Sequence, residues 1–307
     1  MRICSLLPSA TEILFALGLE DFVMGVTHEC DFPPAAAMKP SLIRPRLDPS
    51  APASEINRRV GELMGRGESI YAVRDDLLRE IEPDLVITQD LCQVCAASPD
   101  DLATALSKMK KQPEILALTP HTLDDVWEDI RRVGVATHTE RAADALAGRL
   151  RARVEAIRVA TESVRNRPRV ACIEWLDPLF NAGHWVPEMV EISGGIDVLA
   201  RAGEPSVRIA RDDLTAARPD VIVAMPCGYG IARAARESLD ASWLIERRSA
   251  PAVRNSAVFA VDANSYFSRS GPRLADGVAI LTRILHPELP VGEIPAGAFE
   301  HVHLRAA

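Results

Sequence analysis

Short apolar runs, each closed by Pro, Asp or Gly, alternate along the chain with stretches whose apolar residues recur at helical spacing. Apolar runs too short for a helix read as buried strands, and their alternation with helical patterns predicts βα units built on mostly parallel sheets. The strands expected in this way are Arg2–Leu6, Phe22–Thr27, Leu85–Thr88, Arg169–Ile173, Val221–Met225 and Ala257–Val261. A helix is expected after the first of them. Pro8 leads into it, Ser9 and Glu12 stand at capping-box spacing, and Gly18 ends it.

The pattern repeats itself once. Asp75-Asp76-Leu77 precedes Pro83-Asp84-Leu85-Val86-Ile87, and Asp212-Asp213-Leu214 precedes Pro219-Asp220-Val221-Ile222-Val223. Each copy reads as a short helix, a Pro-Asp break and a buried strand, which predicts two lobes of similar design. Between them, His138 to Arg167 contains no Pro, and its only Gly is Gly148. Ala142, Leu146, Leu150, Val154 and Ile157 recur there at helical spacing. One helix over that stretch would exceed about 40 Å at roughly 1.5 Å per residue. The expected fold is therefore α/β: an N-terminal lobe over 1–137, a bridging helix over 138–167 and a C-terminal lobe over 168–307, with mostly parallel sheets in both lobes.

Composition narrows the function. A 307-residue chain that is 48% hydrophobic and 25% charged folds as a globular protein with room for two lobes. Its formal net charge of −8 argues against a nucleic-acid partner and against docking on an anionic membrane. No apolar run reaches the roughly 18 residues of a membrane span. Met1-Arg2 runs directly into Ile3–Leu7, too short for the apolar core of a secretory signal. The expected location is the cytoplasm, or the periplasm if the true start lies upstream. Cys4, Cys30, Cys92, Cys95, Cys172 and Cys227 are expected as thiols in a reducing compartment.

Ligands of open α/β sheets bind beyond the carboxyl ends of the strands. Pro8-Ser9 follow the first expected strand, His28-Glu29-Cys30 the second, and a stretch containing Cys92 and Cys95 the third. Glu174-Trp175, Cys227 with Tyr229, and Tyr266-Phe267 follow the next three, and His184-Trp185 sit in a loop-like segment. These are the candidate ligand-binding residues, and no catalytic residue is assigned. Cys4 and Cys172 are expected as buried small hydrophobes within strands. His121 and His138 are expected in solvent, and His286, His301 and His303 on the surface. Two rival chemistries share the same residues. One is a cytosolic thiol-dependent enzyme using Cys92, Cys95 or Cys227 beside an imidazole and Glu29 or Glu174. The other is a thiophilic metal held by Cys30, Cys92, Cys95 and Cys227 with His28. Cys92-x-x-Cys95 has ligand spacing, but no second such pair exists.

The opening, Arg2-Ile3-Cys4-Ser5-Leu6-Leu7-Pro8-Ser9-Ala10-Thr11-Glu12-Ile13-Leu14-Phe15-Ala16-Leu17-Gly18, resembles that of the cobalamin, ferric-siderophore and haem substrate-binding proteins of ABC transporters. Thr27-His28-Glu29-Cys30-Asp31, Asp90-Leu91-Cys92-Gln93-Val94-Cys95-Ala96 and Ala182-Gly183-His184-Trp185-Val186-Pro187-Glu188 are similar to a branch labelled cobalamin-binding protein. So are Met225-Pro226-Cys227-Gly228 and Tyr266-Phe267-Ser268-Arg269. The resemblance runs from Arg2 to about His286. It implies two lobes joined by one rigid helix, a metal chelate held between them, and delivery to an ABC permease. It also implies Trp175, Trp185, Tyr266 and Phe267 around a large planar ligand. His28 or His184 would then supply a nitrogen to the metal. With the expected location, the function becomes that of a cytosolic carrier or sensor of a corrinoid, a haem or a ferric siderophore.

Overall fold

The computed structural model describes residues 1–89, 99–241, 244 and 250–303. The chain divides into two compact units, Met1–Pro120 with Asp125–Gly148, and His121–Asp124 with Arg149–Ala307. Each is α/β, as the alternation of strand and helix patterns predicts.

In the first unit, strands β1 (Ile3–Ser5), β2 (Val23–Gly25), β5 (Leu85–Gln89) and β6 (Glu114–Leu118) form a parallel sheet in the order β2-β1-β5-β6. Strands β3 (Ile43–Pro45) and β4 (Tyr71–Val73) pair separately and antiparallel. The central strands are buried along their length, which is why Ile3-Cys4-Ser5 and Leu85-Val86-Ile87-Thr88 read as unbroken runs without alternation. Helices α1 (Pro8–Ala16), α2 (Ala53–Gly65), α3 (Asp75–Ile81), α4 (Pro99–Ser107) and most of α5 (Leu123–Thr137) belong to this unit. Trp127 of α5 is among the largest fully buried side chains.

In the second unit, β7 (Arg169–Leu176), β10 (Val221–Ala224) and β11 (Val258–Val261) run parallel side by side. Strand β12 (Phe299–His301) closes the β11 edge antiparallel. Strands β8 (Leu179–Asn181) and β9 (Ile196–Asp197) share the other side of β7. Helix α6 (Glu140–Thr161) starts in the first unit and ends in the second. Helices α7 (Val186–Ile192), α8 (Arg211–Ala217) and α9 (Ile231–Asp240) follow, with a helix at Leu274–Leu285 near the end. One cluster of this unit's core joins Ala171, Ile173, Leu214, Ile222, Ala224 and Val258. Among the described residues no helix is long and apolar enough to cross a membrane.

The internal echo survives at atomic detail. Helix α3 ends at Glu82 and α8 at Arg218, both in the left-handed region, with φ of 44° and 46°. Pro then blocks continuation, and Asp turns back to the start of the neighbouring strand. Asp84 Oδ2 accepts the Arg2 amide at 2.7 Å, and Asp220 Oδ2 accepts the Arg169 amide at 2.9 Å. The backbones answer reciprocally, Asp84 N–H to Arg2 O at 2.8 Å and Asp220 N–H to Arg169 O at 2.7 Å. Each Asp is thus a clip between two adjacent parallel strands. Lys111 and the Arg2 amide hold the Asp84 carboxyl down to about 2. Asp220→Ala should lower the stability of the protein by about 1 kcal/mol, the ordinary net value of one hydrogen bond. A urea midpoint unchanged from the parent would show that the clip does nothing.

Three expectations are corrected. The Ser9/Glu12 capping box does not form. Pro8 takes the first helical position, which suits its fixed φ, and makes Leu7 the N-cap, so Ser9 and Glu12 lie inside the helix. The end of that helix is as expected: Gly18 has φ +75°, and the Gly18 and Leu19 amides return to Phe15 O and Leu14 O. The long helix is shorter than 138–167. His138 has φ +57° and separates α5 from α6, while a turn from Thr161 to Val164 ends α6. Its 22 residues span about 33 Å. His286 is buried instead of on the surface: it caps the last helix and its Nε2 lies 3.1 Å from Gly194 O.

Candidate functional site

The parallel arrangement of β7, β10 and β11 brings their carboxyl ends to one edge of the second unit's sheet. Two backbone bonds tie this edge together: Cys227 N–H donates to Glu174 O of β7 at 3.0 Å, and Asn264 N–H to Tyr229 O at 3.0 Å. Gly228 provides the positive φ, +75°, that the turn after β10 requires. Trp175 is half-buried, and its Nε1–H is spent on Asp177 O at 3.1 Å. Its ring meets Tyr229 edge-on at 5.5 Å between centroids. Tyr229 is buried and braced from behind by Arg233, whose guanidinium carbon lies 3.7 Å from the ring centroid. Arg233 Nη2 also donates to the Tyr229 hydroxyl at 2.8 Å, and its Nε to Glu237 at 2.7 Å. Burial holds the Tyr229 phenol above its ordinary range against the pull of Arg233. Trp175 therefore stands on a fixed support as a partly open aromatic surface. Tyr266 is half-buried at the same edge, with Arg273 5.6 Å from its ring centroid.

The His184–Trp185 segment is placed differently. Strand β8 runs back along β7, so Ala182 N–H reaches Cys172 O at 2.9 Å, well before the carboxyl end of β7. His184 sits in the left-handed region, φ +54°, held by its amide to Glu204 O at 2.6 Å and its carbonyl from Gly203 N–H at 2.9 Å. Its ring lies 5.8 Å from that of His121 and 5.6 Å from that of Trp185. Burial, aided by His121, pushes the His184 imidazole down, which favours the neutral form, the one that can ligate a metal. Trp185 and Phe267 are buried, Trp185 donating from Nε1 to Phe267 O at 2.8 Å. They back this segment from beneath.

Beside it lies a cavity of about 460 Å³ that the sequence did not reveal, lined in part by Asn181, Asp197, Leu199, Arg201 and Glu204. Asp197 Oδ1 accepts the Leu199 and Ala200 amides at 2.8 and 2.9 Å, while Oδ2 is buried with no hydrogen-bond partner. Burial pushes this carboxyl up to about 6. The only sequence signal was a Gly-Gly turn just ahead of an Asp, a pattern common in loops.

In the first unit, Ser9 and Cys30 are buried and His28 and Glu29 exposed near the carboxyl ends of β1 and β2. Cys30 Sγ lies 3.1 Å from Thr11 Oγ1 and 3.4 Å from Thr27 Oγ1, and Thr11 donates to Ser5 Oγ at 2.8 Å. The His28 ring lies 5.5 Å from Tyr71, with Nε2 3.8 Å from Glu29. Cys92 and Cys95 lie outside the described residues. Cys4 and Cys172 are buried as expected; burial pushes the Cys4 thiol up to about 12 and Cys172 well above its ordinary value, which makes both inert. His121 and His138 are exposed, as expected. Among the described residues, no three His, Cys, Asp or Glu side chains are grouped to hold a metal ion.

Two α/β units, one carrying a supported aromatic surface near the carboxyl ends of its strands, match the architecture of the substrate-binding class of proteins. The chain belongs to the periplasmic binding protein family, whose sequence profile matches residues 3–265. It is 24% identical to a vitamin B12-binding protein of Vibrio cholerae over 290 residues, 90% of this chain and 86% of the relative. It is 25% identical over 299 residues, 94% of this chain and 80% of the relative, to an ABC transporter substrate-binding lipoprotein of Bacillus subtilis. The fold matches that of a periplasmic haem-binding protein of Roseiflexus sp. RS-1 in its apo form. That match has a TM-score of 0.70 and 24% identity, and it covers 93% of this chain and 98% of the other.

Proposed function

We propose that the protein binds a metal chelate of the corrinoid or haem type and serves an ABC transporter as its substrate-binding component. The observation that carries this reading is the Trp175 ring supported on Tyr229 and Arg233 at the carboxyl edge of the second unit's sheet. A braced, half-open indole suits the face of a large planar ligand, and such stacking adds to the burial of apolar area. His184, its neutral form favoured by burial, is the candidate nitrogen donor to the chelated metal. The names of the relatives, vitamin B12-binding in one and haem-binding in another, support the same ligand class. The relatives named as periplasmic or lipoprotein favour a periplasmic location over the cytoplasmic one.

The test is titration of the purified chain with cyanocobalamin, haemin and a ferric siderophore, followed by absorbance and calorimetry. One of them should bind with one equivalent per chain. Trp175→Ala should weaken that binding about tenfold through the lost stacking surface. His184→Gln should shift the visible spectrum of the complex if the imidazole reaches the metal. No heat and no spectral change with any of the three would end this reading.

A further inference from the structure

We propose that His301 and His303, at the far edge of the second unit's sheet, form a bidentate site for a divalent transition-metal ion. The ion would be of the imidazole-preferring kind, Cu2+ ahead of Ni2+ and Zn2+. The site is independent of the chelate-binding residues. Just past the end of β12, Val302 is buried and donates its amide to Val258 O at 2.8 Å, with the more exposed His301 and His303 on either side of it. The backbone under the two imidazoles is thereby fixed. His301 pairs across the strands with Phe259, whose ring meets it edge-on at 5.2 Å between centroids. The Nε2–H of His301 donates to the Ser256 carbonyl. A carbonyl oxygen only accepts, so the proton belongs on Nε2 and the lone pair on Nδ1, in the way a carbonyl orients a metal-bound histidine.

The Nδ1 of His301 faces His303. It lies 3.1 Å from His303 Nδ1 and 3.2 Å from His303 Nε2, and the two rings meet edge to face, 4.3 Å between centroids, so the exposed His303 ring turns to aim one nitrogen at an ion shared with His301 Nδ1. Two nitrogens each about 2.0–2.1 Å from one ion stand roughly 2.9 Å apart at a right angle and about 3.4 Å apart at the tetrahedral angle. With 4.3 Å between ring centroids, a turned His303 nitrogen can reach that separation from His301 Nδ1. His303 is exposed and His301 partly so, which leaves the remaining coordination positions to water. Imidazole donors with open positions follow the ordinary affinity order, in which Cu2+ leads.

The test uses the untagged full chain at neutral pH, titrated with Ni2+ alone by calorimetry and by retention on immobilised Ni2+. One ion per chain is expected. Binding should fall at least tenfold in His303→Gln and in His301→Gln, and stay unchanged in His138→Gln, a histidine exposed between two helices. Acidification should release the ion as protons compete for the imidazoles. His303 is exposed near the chain end, so His303→Gln decides the matter even if His301→Gln disturbs the sheet. A parent chain that takes up no Ni2+, or a His303→Gln chain that binds it as well as the parent, overturns the proposal.

Discussion

Gly183→Ala is expected to destabilise the second unit by about 3 kcal/mol, the upper end of the usual cost of forcing a side chain into a filled space, and to weaken chelate binding if His184 is the donor proposed above. A Cβ at position 183 would lie 2.3 Å from Ser206 N, 2.6 Å from Pro205 C and 2.7 Å from Glu204 O. All three are backbone atoms, so no side-chain rotation relieves the clash. The segment pressed against Gly183 is also the one that accepts the His184 amide and lines the cavity at Asp197. Pushing it away moves His184 and opens the cavity together. Urea unfolding monitors the first effect and titration with the bound chelate the second. Gly148→Ala is the control, because nothing lies within 4 Å of a Cβ there and the residue is inside α6. That substitution should raise stability by about 0.5–1 kcal/mol, the helix preference of Ala over Gly. A Gly183→Ala chain as stable as the parent would mean the two segments are not in contact.

The legible part of the fold was the part fixed by local chemistry. Leu85-Val86-Ile87 cannot be anything but a buried strand once Pro83 has stopped the helix before it, and the same holds for Val221-Ile222-Val223 after Pro219. Gly18 ended its helix because only a residue free of Cβ strain enters the left-handed region cheaply. What was not legible depended on contacts far along the chain. His286 looks like a tail residue by its position, and its burial is decided by Gly194, 92 residues away. Ser9 and Glu12 had the right spacing for a cap, but Pro8 shifted the helix frame by its own preference. The candidate site shows the same division. Cys227, Tyr229 and Tyr266 could be placed at one sheet edge because a parallel sheet carries its loops at one end, whereas Trp175, expected just past a strand ending at Ile173, lies within β7, which runs on to Leu176. The cavity at Asp197 could not, since it is made by residues 197–207 folding back on Asn181.

Between pH 7 and about pH 5 the protein is expected to become more stable, the reverse of ordinary acid sensitivity. Burial pushes the carboxyls of Asp129 and Asp197 up to about 6, and each has an Oδ2 buried without a hydrogen-bond partner. An unfolded Asp titrates near 3.9. Below that value both states hold the proton and neither residue affects stability. As the pH rises from about 4 to 6, the unfolded chain gives up its protons first, and the native state loses ground. Above 6 the penalty is complete, at most about 3 kcal/mol for each residue. Glu188, raised by burial, adds the same sign, while His184, lowered by burial, opposes it as the pH falls below about 6.5. Carboxyls held down by cations, such as Asp75 by Lys108 and Asp84 by Lys111, withdraw their support only as the pH falls below about 4, so the two windows do not overlap. Asp197→Asn isolates the effect. Its Oδ1 can still accept the Leu199 and Ala200 amides, and the charge that the cavity disfavours is gone. The variant should exceed the parent in stability by about 2 kcal/mol at pH 7 and match it near pH 4. Urea midpoints at pH 4, 5.5 and 7 measure this directly. Parallel curves for parent and variant would show that Asp197 ionises in the native state as freely as in the unfolded chain.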